Sequence, residues 1–346
     1  MAAKKRKRIL TILFIAFNAG VILWTALSEF AGKDSAVKFH EIHIKWAFII
    51  PACFSWLIAI AAETVKYCLL MKELCGHIDW RLAAETVLLG RYYDNITPSG
   101  VGGQPFQIYY LKKKGIKSSD GAAIPLVGFM SMQFAFIFLG LLLFAIFSRF
   151  IEVGFVKVTS YVGLVFYAFF PVIILLFTFF EKTMIRLMHW FVHLLARMKI
   201  VKDPESTFQN WEKNVSEYSV ATKGVLKNRN LSLKVMGLSI IYQLGICSIP
   251  YFVILAFGGS INFISCLVNI FSIYATITFI PTPGNAGAAE GSFYAIFSML
   301  TKGFVFWAML TWRFFVFYLF IIVGLIIFLK NGLQSRKEKQ NRTVRR

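Results

Sequence analysis

The residues of this sequence with the clearest chemical potential are ionisable side chains that lie inside long apolar runs. Arg91 and Asp94 are three positions apart, and Glu290 precedes Arg313 in the last third of the chain. A charge in hydrocarbon is costly, so each is a candidate for function. We expect Glu290 to pair with Arg313, or to hold it toward a phosphate group, near the middle of a membrane. A purely structural ion pair is the alternative.

Two stretches rich in proline and glycine lie next to these charges. The first contains Pro98, Gly100, Gly102, Gly103 and Gln104 and is preceded by Asn95, and the second contains Pro281, Pro283, Gly284 and Gly287. Such residues prevent a continuous helix. The N–H groups at the start of the following half-helix attract anions, so a phosphate headgroup would fit there. The alternative is that both turns only permit tight packing.

Other chemistries find little support in the sequence. His189 and His193 have the spacing of a zinc-binding helix, but no glutamate follows His189 and no third ligand is evident, so we predict no metal site. We also predict no cofactor, because nucleotide-binding and serine-hydrolase motifs are absent from the sequence. Any transport would then be passive, coupled to an ion, or driven by a partner.

The composition identifies the elements that must position these residues. The chain has 346 residues, of which 58% are hydrophobic, and its formal net charge is +20. Its basic residues alternate with apolar runs instead of forming one solvated face, so we predict no nucleic-acid binding. Six runs are long enough to cross about 30 Å of hydrocarbon. They lie near 9–30, 46–71, 121–148, 159–180, 235–257 and 303–329, and two broken segments lie near 82–110 and 262–300.

We therefore predict an all-α integral membrane protein, a single membrane domain over 1–346 with two broken re-entrant hairpins. A pair of short crossing helices in place of each hairpin stays open, because the charge pattern fits both. The halves 1–150 and 159–330 then repeat one order of segments from opposite sides of the membrane, as in transporters built from inverted repeats. Most of the 37 Lys and Arg residues fall on one side of this arrangement. The positive-inside rule makes that side cytoplasmic. Both chain ends lie there, including the basic tail 331–346.

Two further patterns belong to the cytoplasmic side. Residues 184–198 mix aromatic and basic side chains, which predicts a helix lying in the membrane interface. Glu63 and Lys66 are three apart near the cytoplasmic end of their span, so we expect a local pair or a lysine that reaches the interface.

The two turns, with the nearby acidic residue Glu290, carry a resemblance to a known family. Residues 98–105, preceded by Asn95, and residues 281–284, followed by Gly287, resemble the hallmark stretches of one membrane region. It is the flippase-like transmembrane region of lysylphosphatidylglycerol synthase, the multiple peptide resistance factor. The resemblance extends over nearly the whole chain. One departure is Asn285, which stands where the family usually has another glycine.

The resemblance implies translocation of aminoacylated phosphatidylglycerol, or a related phospholipid, in the cell membrane. Such transport contributes to resistance against cationic antimicrobial peptides. Full-length relatives add a cytoplasmic lysyltransferase domain, for which we find no stretch in this sequence, so we expect no enzymatic activity from the chain by itself. A separate aminoacyl-transferase partner and a homodimer stay open. Two alternatives also stay open: the membrane part of a lipid synthase that acts with a separate catalytic partner, and an ion-coupled carrier of a small solute.

Overall fold

The fold is described from a computed structural model of the chain. The structure describes residue 20 and residues 43–98, 100, 102–151, 154–197, 204–278, 280, 282–298 and 304–344. The predicted first span at 9–30 and Pro281 of the second turn therefore lie outside the described residues, apart from residue 20.

The described residues are mostly α-helical. The helices are α1 (Trp46–Cys75), α2 (Trp80–Ile96), α3 (Gly103–Lys113), α4 (Ser118–Phe147), α5 (Gly154–Phe179), α6 (Glu181–Arg197), α7 (Pro204–Lys227), α8 (Arg229–Ala256), α9 (Phe263–Ile277), α10 (Ala288–Phe297), α11 (Val305–Arg313) and α12 (Leu319–Val344). One π-helical turn, Phe314–Tyr318, joins α11 to α12. Within this described part the chain has no β-strand, and the all-α prediction is confirmed.

Five of the described helical segments are long and apolar enough to cross a membrane. They are Trp46–Cys75, Ser118–Phe150, Val156–Phe179, Arg229–Ala256 and Val305–Leu333. Each coincides with one of the predicted spans after the first. The basic tail continues α12 as far as Val344.

The most extensive helix contact among the described residues is an antiparallel pair formed by α1 and α8. Gly245 allows close contact, because a Cβ at that position would lie 2.9 Å from the Ser55 carbonyl oxygen and 3.0 Å from the Ala59 Cβ. At one end of the pair the Lys45 N–H donates to the Ala256 carbonyl at 2.9 Å. Small residues at a helix contact are the usual means of close packing in membranes.

The first broken segment is a hairpin that returns to the end from which it entered. The Gly103 N–H donates to Asp94 at 2.9 Å, and the Gln107 side chain donates to the Thr86 carbonyl at 3.1 Å. These contacts make α2 and α3 antiparallel. With 11 residues, α3 rises only about 16 Å, which is too short to cross the hydrocarbon. The structure thus favours a re-entrant hairpin over two short crossing helices.

The second broken segment consists of α9 and α10, which contact each other. With 10 residues, α10 rises about 15 Å, so it too is shorter than the hydrocarbon thickness. Its aromatic face packs inward: Phe293 is buried and stacks on Trp312 of α11 with ring centroids 4.8 Å apart. The predicted inverted repeat of 1–150 and 159–330 stays a prediction.

Several segments that the charge pattern predicts to be cytoplasmic meet at one end of the bundle. The Asn228 side chain, before α8, donates to Glu73 of α1 at 3.1 Å. At the same end Asn331 of α12 donates to the Tyr110 hydroxyl at 3.0 Å. The helices α6 and α7 lie against each other nearby, joined by an ion pair between Glu181 and Lys223 at 3.6 Å. We call this the basic end.

Candidate functional site

The two Pro/Gly turns are in contact with each other. Pro98 and Pro283 form an isolated antiparallel β-bridge, which joins the tip of the first hairpin to the second turn. The Asn95 side chain donates to the Phe317 carbonyl at 3.4 Å, in the π-helical turn. A π-helical turn frees backbone groups and is frequent at functional sites. The sequence placed both turns in corresponding segments, and the structure brings them into contact.

A cavity of about 830 Å³ lies beside the joined turns. Its polar and glycine lining residues are Arg91, Asp94, Asn95, Gly100, Gln104, Gln133, Tyr242, Gln243, Thr278, Gly284, Asn285 and Arg313. Its apolar lining comes mainly from α4 and α5, with Leu126, Phe129, Phe166, Phe169, Phe170, Ile173 and Ile174. This volume is typical of small-molecule sites, which combine apolar walls with a few converging polar groups.

The arginine of the first half faces the cavity with loose partners. The Arg91 guanidinium lies 3.6 Å from the Asp94 carboxylate and 4.0 Å from that of Glu63. It also lies over the Tyr242 ring, 4.7 Å from the ring centroid. One terminal nitrogen also donates to the Met132 sulfur at 2.6 Å, and 20% of the side-chain surface stays exposed in a residue that lines the cavity. Asp94 is already engaged, because it accepts the Gly103 N–H at the start of α3.

The arginine of the second half is held much more tightly. Arg313 donates through Nε to the Glu290 carboxylate, and both terminal nitrogens lie 3.3 Å from the Gly284 carbonyl oxygen. Glu290 in turn accepts the Gly287 N–H at the start of α10. The side chains of Arg313 and Glu290 are only 5% and 7% exposed. This pair connects the second turn to α11.

Protein carboxylates therefore occupy one N–H group at the start of each second half-helix. We predicted that these N–H groups receive an anion, and in the structure Gly103 donates to Asp94 while Gly287 donates to Glu290. A further turn N–H, that of Gly102, donates to the Thr97 hydroxyl at 2.9 Å. Arg91, which lacks such a tight carboxylate partner, is thus better placed than these backbone groups to receive a ligand phosphate.

The backbone of the second turn explains two of its residues. Gly284 has φ 58° and Asn285 has φ 55°, so both adopt the left-handed conformation. Asparagine tolerates this conformation better than other residues with a Cβ, which fits its presence at position 285. Gly284 has a second constraint, because a Cβ there would lie 2.1 Å from the Phe317 ring.

The predicted site residues fall into two groups. Seven line the cavity: Arg91, Asp94, Asn95, Gly100, Gln104, Gly284 and Arg313. Six others shape or brace the turns outside that lining: Pro98, Gly102, Gly103, Pro283, Gly287 and Glu290. Pro281 lies outside the described residues. Binding by these residues stays a prediction.

Sequence reasoning missed part of the polar lining. Gln133 of α4 and the pair Tyr242 and Gln243 of α8 face the cavity, and the Gln243 side chain donates to the Met132 carbonyl at 3.3 Å. A usable signal existed, because Gln133, Tyr242 and Gln243 are polar residues inside otherwise apolar spans.

A buried charge network continues from the cavity into the core. Lys66 is fully buried, and its ammonium group contacts Glu63 at 2.7 Å, the Gly128 carbonyl at 3.1 Å and the Ser239 hydroxyl at 3.2 Å. The expected local pair with Glu63 is present. The alternative, a lysine that reaches the interface, is wrong, because α4 and α8 cover this side chain and supply two of its three acceptors. Through Glu63 this network extends to Arg91 in the cavity wall.

The chain is similar in sequence to known membrane proteins. No solved structure matches the chain. It is 24% identical over 314 residues to a UPF0104 membrane protein of Methanothermobacter thermautotrophicus, an alignment that spans 85% of this chain and 86% of that protein. The profile of the lysylphosphatidylglycerol synthase TM region family matches residues 8–324. The chain belongs to this family.

Membership in this family agrees with the membrane-spanning helices of the structure. The matched region contains both turns, the whole described cavity lining and the five candidate spans apart from the last residues of the fifth. The resemblance predicted from the two turns is confirmed at the level of the family. The cavity offers charged groups that can pair with a charged ligand, and an apolar wall. Among the residues that line it, no nucleophile lies beside a general base.

Proposed function

We propose that the chain moves an anionic phospholipid between membrane leaflets, with aminoacylated phosphatidylglycerol as the leading substrate. The observation that carries this proposal is the division of the cavity into a polar side with two arginines and an apolar side on α5. Lipids have the same division between headgroup and acyl chains. A site for a small polar solute would have no need of an apolar wall of this extent.

The apolar wall also suggests how a lipid would enter. The side chains of Phe166, Phe169 and Phe170 line the cavity and are each 47–58% exposed on α5. Since α5 is an apolar helix long enough to span a membrane, its outer surface faces lipid in a membrane. Acyl chains could therefore stay in the bilayer beside α5 while the headgroup enters between the turns.

The polar side assigns roles to the charged residues. Arg91 is the proposed receiver of the lipid phosphate, because it keeps exposed donors and its guanidinium geometry suits phosphate oxygens. Asp94, beside it, would receive the ammonium group of an aminoacylated headgroup. Arg313 faces the same cavity and adds positive charge, while Glu290 holds it in place.

The orientation follows from the charge distribution. We propose that the basic end faces the cytoplasm of the plasma membrane, because Lys and Arg accumulate in cytoplasmic loops. The cavity would then take lipid made on the cytoplasmic side and release it in the outer leaflet. Exposure of a cationic lipid there would reduce the negative surface charge that attracts cationic antimicrobial peptides.

The test is transport of lipid in liposomes that contain the purified chain. Fluorescent phosphatidylglycerol and lysylphosphatidylglycerol are supplied, and the label accessible from outside is measured by chemical quenching. We expect exchange above that of protein-free liposomes, and we expect Arg91→Ala to reduce this exchange by at least about 10-fold. Arg81→Ala is the matched control, because Arg81 lies at the basic end with a 63% exposed side chain. Folded protein that gives no exchange with either lipid would contradict the proposal.

A second candidate is an ion-coupled carrier of a small solute. The buried network of Glu63 and Lys66, which reaches Arg91 in the cavity wall, is the observation that favours it. Buried ionisable groups that extend from a binding site often mark ion pathways. Solute uptake that follows a pH or sodium gradient, with no lipid exchange in the same liposomes, would support this candidate instead.

A further inference from the structure

A cluster of potential metal ligands lies on α6 and α7, apart from the cavity. The side chains of His189, His193 and Glu205 each offer one ligand atom, and these atoms lie within 4.8 Å of one another. The two histidines are one helical turn apart, with their Nε2 atoms separated by 3.0 Å. The sequence lacked an evident third ligand beside this pair, and the fold supplies one from the next helix.

We propose that these three residues bind a zinc ion that fastens α6 to α7. Two imidazole nitrogens and one carboxylate oxygen are a common ligand set for zinc, with a fourth position open to water. Tetrahedral bonds of about 2.0–2.1 Å place ligand atoms roughly 3.3 Å apart. The histidine pair is already close to that separation. Rotation of the exposed Glu205 side chain brings its oxygen in without movement of either helix.

The surroundings of the cluster support a site that solvent can reach. Leu187, Trp190 and Phe191 form an exposed apolar face of α6. Residues 189 and 193, one turn apart, share a face of the helix that borders this apolar face on the Trp190 side. With the apolar face in the membrane interface, the imidazoles point toward the aqueous side, where α7 lies. The His189 ring also packs against Phe208 of α7, 4.7 Å between centroids, which restricts its orientation.

The chemistry favours zinc over the abundant hard cations. Imidazole suits zinc, copper and nickel, whereas magnesium and calcium prefer oxygen ligands. The site is binding and not hydrolytic, because Trp190 stands where zinc proteases with two histidines on one helix carry their glutamate base. Bound metal would fix α6 against α7, and both helices contact α5, which forms the apolar wall of the cavity.

The experiment uses the full chain with a purification tag that contains no histidine, stripped of metal with a chelator. Zinc is titrated against a chromophoric chelator, and cobalt is used as a spectroscopic substitute. We expect one zinc per chain and a tetrahedral cobalt spectrum in the wild type. Glu205→Gln should weaken zinc binding by at least about 10-fold, since even indirect partners of metal sites contribute 10–100-fold. His189→Ala/His193→Ala should remove it.

The matched control is His77→Ala, because His77 is exposed but lies beside the Cys75 carbonyl and away from the cluster. It should bind zinc like the wild type. Hydrogen exchange adds a readout of the fastening: zinc should slow exchange of α6 and α7 in the wild type and in His77→Ala only. Equal zinc affinity in the wild type and the double histidine variant would overturn the proposal. So would unchanged binding and exchange in Glu205→Gln. Neither result depends on lipid transport.

Discussion

The two arginines of the cavity differ in how completely the protein satisfies them. Arg91 lies 3.6 Å from Asp94 on its own helix, and its other contacts are a weak acceptor, the Met132 sulfur, and the face of the Tyr242 ring. Arg313 reaches across from α11 to Glu290 and the Gly284 carbonyl. A nearly buried side chain that is held by a carboxylate and a carbonyl braces the fold. One with loose partners and exposed donors is free to change partner when a ligand arrives.

The difference also shows how similar arrangements arise from unlike sequence patterns. In both turns a carboxylate accepts an N–H at the start of a half-helix and lies near an arginine. In the first turn the acid precedes the turn and the arginine is three residues away. In the second turn the acid follows the turn and the arginine is 23 residues further on. The short-range pair forms within one helix, whereas the long-range pair requires the tertiary fold.

The largest effect should follow removal of one partner of the tight pair. Removing one member of a buried ion pair leaves an uncompensated charge and costs about 3–5 kcal/mol of stability. We therefore expect Glu290→Ala and Arg313→Ala to lower the free energy of unfolding by about that amount. The measurement is denaturant unfolding in detergent or lipid nanodiscs.

The control for this pair is the double variant Arg313→Met/Glu290→Leu. It removes both charges and keeps apolar volume, so it should be more stable than either single variant. If both single variants keep wild-type stability and lose only transport, the second arginine is a ligand-binding group like the first. The comparison of the two halves would then fail.

Substitution of Arg91 should have a smaller effect on stability and a large effect on lipid transport. A hydrogen bond to a charged group contributes about 1.5–3 kcal/mol, so loss of the phosphate contact in Arg91→Ala should reduce transport by about 10-fold to 100-fold. Arg91→Lys keeps the charge without the bidentate geometry and should retain part of the rate. Exchange rates in liposomes, normalised to folded protein, measure this. Wild-type exchange in Arg91→Ala would remove Arg91 from the proposed site.

The sequence predicted the helices and turns better than the contacts between them. Apolar runs identified the described spans, and Pro and Gly identified both turns, because these signals depend on residues close together in the chain. The contact of Pro98 with Pro283 and the cover over Lys66 depend on packing between distant helices. The spacing of Glu63 and Lys66 predicted their pairing, but it could not show that α4 and α8 enclose the lysine.

The site shows the same limit. Arg91 and Asp94 were predictable as neighbours from their spacing on one helix, whereas Gln243 and the aromatic wall of α5 enter the cavity only through tertiary contacts. The carboxylate that takes the Gly287 N–H illustrates a further point. Its position after the turn fits an N-terminal cap, but its second role, as partner of Arg313, depends on the placement of α11.

An intermediate effect is expected where the second turn meets the π-helical turn. Gly284→Ala adds a Cβ at φ 58° and at 2.1 Å from the Phe317 ring, so something must move. Backbone strain of this kind costs about 1–3 kcal/mol. Since the Gly284 carbonyl also accepts from Arg313, the substitution should loosen the tight pair without removing either charge.

Unfolding in nanodiscs measures the cost, and Gly332→Ala is a suitable control because a Cβ there would contact nothing within 4 Å. Equal stability of the two variants would show that this turn is not a rigid brace.

The smallest effect is expected at Asn285, the neighbour of Gly284 in the cavity lining. Asparagine at φ 55° is strained by less than other residues with a Cβ, and glycine at the same position gains freedom in the unfolded chain. These contributions oppose each other, so Asn285→Gly should change stability by less than about 1 kcal/mol. Asn285→Val should destabilise more, because a β-branched residue rarely adopts this conformation. If Asn285→Gly leaves stability unchanged but alters which headgroup is transported, the Asn285 amide contacts the headgroup and contributes to lipid specificity. The second turn would then have two functions in adjacent residues. Gly284 would brace the fold through its bond to Arg313, and Asn285 would contact the lipid.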